Sequence, residues 1–372
     1  MTAKKWMAIA MIFALLLTGM VGCKSPDTEE GAVVNEYVEG DTSATDVEQD
    51  LPEKVEQSET GSSANDTDEL ADNSGDTTKT ETPKEDTPAL DTQTLTEDTN
   101  TPAEEDPVEE PEVQYQAGNL LKLVDYNVRC ANDGDNKQVA DRGPRLEKLI
   151  DQLDPDLMGF QEVTPTWRGL LAGYFSDEYD YVYKERNPGG ECTPIFWKKD
   201  KFEKMDEGYF WLSETPESES KGWDADYYRI CSWVRLKIKA TGKEFLYFNS
   251  HWDGSGQCHI GSAKVTFSYA RKAGAFSKYG MLLTADFNMI PWSKGYSAVV
   301  ESGELSDVNY DLENDTTPTT NGYNDSSGGR IIDMCFYSPE KILPVSYKVL
   351  NEKIDGGYIS DHRGLLVEVA IL

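Results

Sequence analysis

The sequence predicts an α+β domain, a four-layer α/β/β/α sandwich of two packed mixed sheets, preceded by a disordered acidic tether. Three observations predict it. Strand-like runs dominate the chain after about residue 114, with few helical stretches between them. Some runs are apolar throughout and others alternate, as expected where two sheets face each other and helices cover the outer faces. The acidity is uneven: residues 1–113 hold 29 acids against 6 lysines, out of a total formal charge of −33.

In chain order, "MTAKKWMAIAMIFALLLTGMVGC" shows Lys4 and Lys5, an apolar run from Trp6 to Leu17, and small residues before Cys23. That order reads as a secretion signal over 1–22, too short for an ordinary membrane span. Met20 to Cys23 resembles a bacterial lipobox. Cys23 is therefore expected to carry the lipid of a protein held on the extracellular side of a bacterial cell membrane, with that anchor its only membrane contact. Residues 23–113 are rich in Thr, Asp, Glu, Ser and Pro and nearly free of aromatics. Such a stretch cannot bury enough apolar surface to offset chain entropy, and its like charges extend it.

Residues 114–372 form one domain-sized unit. Strands are expected at 120–128, 157–161, 179–183, 193–197, 202–212, 230–238, 245–250, 281–285, 331–337, 345–350 and 365–371, from apolar runs and period-two alternation. Leu146, Leu149, Ile150 and Leu153 share one face of a helix over 143–153. A second helix is expected over 260–279 and a shorter one after Trp292. The domain's five cysteines lack CxxC spacing, which argues against a zinc cluster and allows at most two disulfides.

Several strands end in polar groups. "LVDYNV" ends near Asn127, "DLMGFQEV" at Glu162, "LYFNSHWD" at His251 and "MLLTADFN" at Asp286 and Asn288. "RIIDMCF" embeds Asp333, and "YISDHRGLLVEV" sets Asp361 and His362 before the last strand. A carboxylate with an amide oxygen suits Mg2+ or Mn2+. Histidines oriented by carboxylates can bind and protonate phosphate oxygens, an aspartate can activate water, and an asparagine amide can donate to a crowded phosphorus centre. The set points to phosphoester hydrolysis.

The ordered motifs "YNVR", "GFQEV", "NSHWD", "ADFN", "RIIDM" and "SDH" resemble the endonuclease/exonuclease/phosphatase superfamily, the fold of pancreatic-type deoxyribonuclease, from about Leu121 to Leu372. "TPIFWKKDKFE", "GYFWLSETPE" and "KGWDADYYRICSW" further resemble its bacterial exported branch. The resemblance implies a metal site at Asn127 and Glu162, with Glu162 the direct ligand and Asp361 adding to the metal or water network. It implies that Asp286 activates water and that Asn288 contacts phosphate. His362, paired with Asp333, would be the catalytic histidine, and His251 the second, oriented by Glu191. Arg229 is a candidate phosphate ligand. Ala285 stands where the family usually has glycine, and the segment after His251 lacks an early arginine.

The expected activity is that of a Mg2+- or Mn2+-dependent phosphoesterase acting as a monomer, first as a nuclease or other phosphodiesterase with nucleic acid among its substrates. The alternatives are a sphingomyelinase-like lipid or small-molecule phosphoesterase, and a non-catalytic surface binding lipoprotein. Residues 114–372 remain net acidic, which argues against a broad basic nucleic-acid face. Trp211, Trp223 and Trp252 are expected to pack rather than stack bases, and His259 to lie at a surface or helix start.

Overall fold

The computed structural model describes residues 115–372, apart from 255, 313, 314, 326 and 327. The secretion signal, Cys23 and the acidic segment lie outside the described residues.

Among the described residues, twelve strands form two six-stranded sheets. The first holds β1 (Leu120–Asn127), β2 (Leu157–Gln161), β3 (Tyr179–Val182), β4 (Ile195–Lys198), β11 (Ile342–Leu350) and β12 (Gly364–Ile371), in the order β11-β12-β1-β2-β4-β3. The second holds β5 (Phe202–Trp211), β6 (Ile230–Ile238), β7 (Glu244–His251), β8 (Gly280–Asp286), β9 (Ser306–Asp307) and β10 (Asp333–Tyr337), in the order β5-β6-β7-β8-β10-β9. Each sheet has one parallel pair at its centre, β1 with β2 and β7 with β8, and every other pair is antiparallel.

Alternating side chains give the sheets two faces each. Leu121 and Leu123 of β1, Leu157 of β2, Phe245 and Tyr247 of β7 and Leu282 of β8 meet between the sheets. Helices α1 (Val139–Leu153) and α2 (Pro165–Phe175) cover the outer face of the first sheet through Leu146, Ile150 and Trp167. On the second sheet's outer face, α3 (Gly256–Lys272) and α4 (Lys294–Val300) pack through Ala263, Phe267 and Tyr296, and the single-turn α5 (Val308–Asp311) leads on from β9. The four-layer sandwich is thus the observed architecture.

Sequence periodicity misses α2, whose Gly-containing stretch "PTWRGLLAGYF" shows little stripe; its signal is the cap, with Thr164 accepting from Trp167 N and Pro165 in the first turn. α3 starts earlier and ends sooner than expected, because Gly274 (φ 90°) turns the chain towards β8. Cys130, Cys192, Cys231, Cys258 and Cys335 are all free thiols. Trp252 and Trp211 are buried, consistent with packing. His259 does lie in the first turn of α3, but it is buried rather than on the surface.

Candidate active site

A parallel pair brings two carboxyl ends side by side, so Asn127 and Glu162 close one sheet where His251 and Asp286 close the other. An antiparallel neighbour then begins where its partner ends. Asp333 opens β10 directly opposite Asp286, and His362 precedes β12 beside β1. This topology collects residues from six places in the sequence at one end of the seam.

Along the seam, side chains change from apolar to polar. Above Leu121, Leu157, Phe245 and Leu282 sits a buried polar tier. Gln161 Nε2 donates to Asp125 Oδ1 at 2.8 Å and across the seam to Asn249 Oδ1 at 2.7 Å. Asn249 Nδ2 donates back to the carbonyls of Phe160 and Pro194, both at 2.9 Å. The Tyr247 and Thr284 hydroxyls are 2.9 Å apart. The side chains of Tyr247, Asp125 and Asn249 pack directly over the Gly159 backbone, which has no side chain to hold them off.

Above this tier, Asn127 Nδ2 donates to Glu162 Oε1 (3.1 Å) and to Asp286 Oδ2 (2.9 Å), clamping a carboxylate of each sheet. Cys130 N donates to Glu162 Oε2 at 2.7 Å, and Asn288 N to Asp286 Oδ1 at 2.9 Å. Asp286 Oδ2 lies 3.4 Å from His251 Nε2 and 3.8 Å from His362 Nε2. His362 Nδ1 lies 2.9 Å from Asp333 Oδ2. Asn288 Nδ2 is 3.1 Å from His251 Nε2 and donates to the Trp252 carbonyl. Arg129, Glu162 and Asn288 have φ of 57°, 58° and 50°, a left-handed conformation that non-glycine residues adopt at a cost of about 1 kcal/mol each. Each lies just past a strand whose end belongs to the site.

The electrostatics split the titratable groups. Burial opposes charge on His362, yet the adjacent Asp333 and Asp286 raise its pKa to about 10. Burial, with Arg229, His362 and Arg186 nearby, pushes His251 well below the usual range. Burial and the charge of Asp333 raise Asp286 to about 7, and burial raises Asp125 to about 8. For Glu162, burial is outweighed by hydrogen bonds from Cys130 and Asn127, which lower its pKa. A charged and a neutral histidine thus flank one carboxylate.

These shifts give a stability test. At about pH 6.5 the unfolded chain has lost its Asp protons and about half of its His protons, and it loses the rest by about pH 8, whereas folded Asp286, Asp125 and His362 still hold most of theirs at the lower end. The folded state binds more protons, so stability falls as pH rises through this window. The thermal midpoint of the domain in chelator is expected to drop between pH 6.5 and 8.5; a rising midpoint would contradict the protonation states above.

Among the sequence-predicted residues, Glu162, His251, Asp286, Asn288, Asp333 and His362 converge, and Arg229 lines the same cavity. Three sit differently from the implied roles. The Asn127 oxygen accepts from Arg129 N at 2.9 Å, so its amide nitrogen faces the carboxylates and braces them. Glu191 pairs with Arg186 (2.9 Å), not with His251, because the turn after Arg186 brings the two side chains together. Asp361 faces Arg129 at 3.5 Å, to one side of the carboxylate cluster. Ala285 is buried in the packing between the second sheet and its outer helices.

Three residues escaped sequence reading. Buried Arg142 donates to the carbonyls of Val128, Arg129 and Ala131, and so holds the loop after β1. Arg186 and Tyr227 line the cavity with Arg229 and His251, and its volume is about 320 Å³. Arg142 in a helix and Tyr227 in a loop give no local signal of their role, although "YKERNPGGE" does put Arg186 a turn's length from Glu191.

Glu162, His251 and Asp286 offer ligand atoms within 4.8 Å of one another, as do Asp286, Asp333 and His362. The paired carboxylates of each group are hard oxygen donors of the kind that hold a divalent cation, with one histidine nitrogen beside them.

Comparison with known proteins agrees with this geometry. The family model for the endonuclease/exonuclease/phosphatase family matches residues 126–362. A mannosyl-6-phosphatase from Bacteroides thetaiotaomicron is 32% identical, with a TM-score of 0.62, over 68% of this chain and 100% of that one. A family protein of Bacteroides vulgatus is 27% identical, with a TM-score of 0.60, over 68% of this chain and 99% of that one. An uncharacterized protein of Acanthamoeba polyphaga mimivirus is 32% identical over 114 residues, 28% of this chain and 42% of that relative. The architecture, the seam-end cluster and the extent of the family match together place the chain in the endonuclease/exonuclease/phosphatase family, whose members hydrolyse phosphoester bonds.

Proposed function

We propose that the domain is a metal-dependent phosphomonoesterase acting on small molecules, exported and held outside the cell through Cys23. The observation that carries this reading is the size and charge of the cavity. At about 320 Å³ it is at the small end for ligand sites and suits a phosphate with one ring-sized group. An extended polyanion needs several free cations. Here Arg129 is engaged by Asp133 and Asp361, and Arg186 by Glu191. Among the described residues, Arg229 gives only Nε to Asp253, at 3.4 Å, which leaves its terminal N–H groups for a phosphate. The likeness to a mannosyl-6-phosphatase along that protein's whole length supports the monoester over the nuclease reading.

Glu162, with Asp286 across the seam, would hold the cation, which when bound supplies positive charge to a phosphoryl oxygen. Asp286 Oδ2 orients the attacking water and takes its proton. His362, charged and fixed by Asp333, donates from Nε2 to a phosphoryl oxygen. With Asn288 Nδ2 as donor to its Nε2, neutral His251 is held in one orientation beside that phosphate. Water attacks phosphorus in line, the bond to the ester oxygen breaks, and the departing alkoxide is protonated from solvent.

The test offers mannose 6-phosphate, ethyl phosphate, bis-p-nitrophenyl phosphate, duplex DNA, single-stranded RNA and sphingomyelin to membrane fractions of cells expressing the full chain. The expected result is metal-dependent release of inorganic phosphate from monoesters, abolished by chelator, restored by Mg2+ or Mn2+, and moved to the medium in Cys23→Ser. Faster cleavage of DNA, RNA or sphingomyelin would overturn the substrate assignment, and chelator-resistant turnover the metal requirement.

A further inference from the structure

Arg229 is only 8% exposed, yet among the described residues its guanidinium makes a single ion-pair contact, from Nε to Asp253 Oδ2 at 3.4 Å. Asp253, itself 6% exposed, divides its carboxylate between three donors. Oδ1 accepts from Gly254 N at 2.9 Å, and Oδ2 accepts from Tyr227 N at 3.2 Å as well as from Arg229. One side chain thus ties the segment entering β6 to the segment leaving β7, two residues after His251. The backbone is pinned on both sides of this tie: Leu212 N donates to the Arg229 carbonyl at 2.8 Å, and Trp252 N to the Asp286 carbonyl at 2.9 Å. The Tyr227 ring supports the guanidinium on one face, with its centroid 5.2 Å away. Arg229 lines the cavity with Glu162, His251, Asp286 and His362.

We propose that Asp253 is a positioning residue, which acts on the substrate through Arg229 by holding that guanidinium with its terminal N–H groups free for the phosphoryl group. This rests on the phosphomonoesterase reading and adds a residue to that site. A buried ion pair is a poor source of stability, because desolvating two charges offsets most of their attraction. A pair built for strength meets through two parallel bonds, as Arg186 and Glu191 do at 3.0 and 2.9 Å. Asp253 instead takes Nε alone and gives its remaining capacity to backbone N–H groups. An arginine held by Nε keeps both terminal nitrogens, the fork whose geometry matches two oxygens of a phosphate. Its long side chain has many rotamers, and fixing it before the substrate arrives removes that ordering cost from binding. The negative charge of Asp253 also keeps Arg229 beside Arg186 and His362, cations that would otherwise repel it outward.

The experiment measures calorimetric binding of inorganic phosphate, and kcat and KM for ethyl phosphate, with Mg2+ and the detergent-solubilised full chain. Wild type is compared with Asp253→Asn, Asp253→Ala, Arg229→Gln and the variant carrying both Asp253→Ala and Arg229→Gln. Phosphate binding is expected to weaken about tenfold or more in Arg229→Gln and by nearly as much in Asp253→Ala, with the loss on ethyl phosphate falling more on KM than on kcat. Asp253→Asn keeps an oxygen acceptor for the backbone but not the charge, and is expected to lie between them with a thermal midpoint near that of wild type. The double variant is expected to lose no more than Arg229→Gln alone, as for two residues acting through one contact. Should Asp253→Ala fail to fold, the same cycle is run with Asp253→Asn. Additive losses, or Asp253 variants that bind phosphate like wild type, would overturn the positioning role while leaving the phosphomonoesterase intact. Phosphate binding that depends on both residues, without turnover of any monoester in the substrate panel, would sustain the role of Asp253 and overturn the hydrolase.

Discussion

Asp286→Asn is expected to lower kcat by about a thousandfold or more while leaving the fold intact. Asp286 is the point where both halves of the cluster meet. Its Oδ2 lies 2.9 Å from Asn127 Nδ2, 3.4 Å from His251 Nε2 and 3.8 Å from His362 Nε2. The amide keeps the shape but removes the proton acceptor and one negative donor from the cation site. Its loss should thus appear in kcat and in metal affinity together. His362→Ala removes a cation rather than an anion and is expected to cost about a hundredfold or more in kcat, with little change in metal affinity. Steady-state kinetics across a Mg2+ titration separate the two variants. Matching metal dependence in both would mean that Asp286 does not help hold the ion, and wild-type rates in either would end the proposed division of labour.

The largest stability effect is expected below the site. A Cβ on Gly159 would lie 2.2 Å from the Tyr247 hydroxyl, 2.9 Å from Asp125 Oδ1 and 3.1 Å from Asn249 Cγ. None of these groups is a loose surface chain: each is buried and held in the polar tier that ties β2 to β7. Gly159→Ala must push the sheets apart or break those bonds. Overpacking costs about 1–3 kcal/mol and an orphaned buried polar group a similar amount, so a loss of about 3 kcal/mol or more is expected. Urea denaturation at pH 7 reads it directly. Gly254→Ala, where an added Cβ meets nothing within 4 Å, serves as the comparison. A Gly159→Ala midpoint within error of wild type would show that the tier is soft.

Much of this arrangement was legible because strand-end polarity is a strong signal. An apolar run that stops at Asn127, Glu162, His251 or Asp286 announces both a strand and a group at its mouth. The tier beneath gives no such signal. Asp125, Gln161, Asn249 and Thr284 occupy alternate positions that read as a half-solvated strand face, and only the docking of two sheets reveals them as buried partners. Glu191 shows the complementary difficulty. Its neighbourhood follows from the family resemblance, but its partner is decided by a turn that places Arg186 within reach. The amide of Asn127 likewise faces carboxylates on two sheets, a relation with no local trace in the sequence. α2 was missed because a short helix buried by Trp167, Leu171 and Phe175 takes its stability from tertiary packing rather than from a clean stripe.

The cluster at the end of the seam also bears on how the chain comes to be active. Asn127 and Asp286 are 159 positions apart, and the Tyr126 hydroxyl meets the His362 carbonyl across 236. Contacts of such separation form late, since each closes a long loop before it is rewarded. A nascent or partly assembled chain therefore has neither acid, histidine pair nor cation site in working order, and is inert until both sheets have docked. Recovery of turnover after dilution from denaturant would then report the last step of folding, not the first collapse.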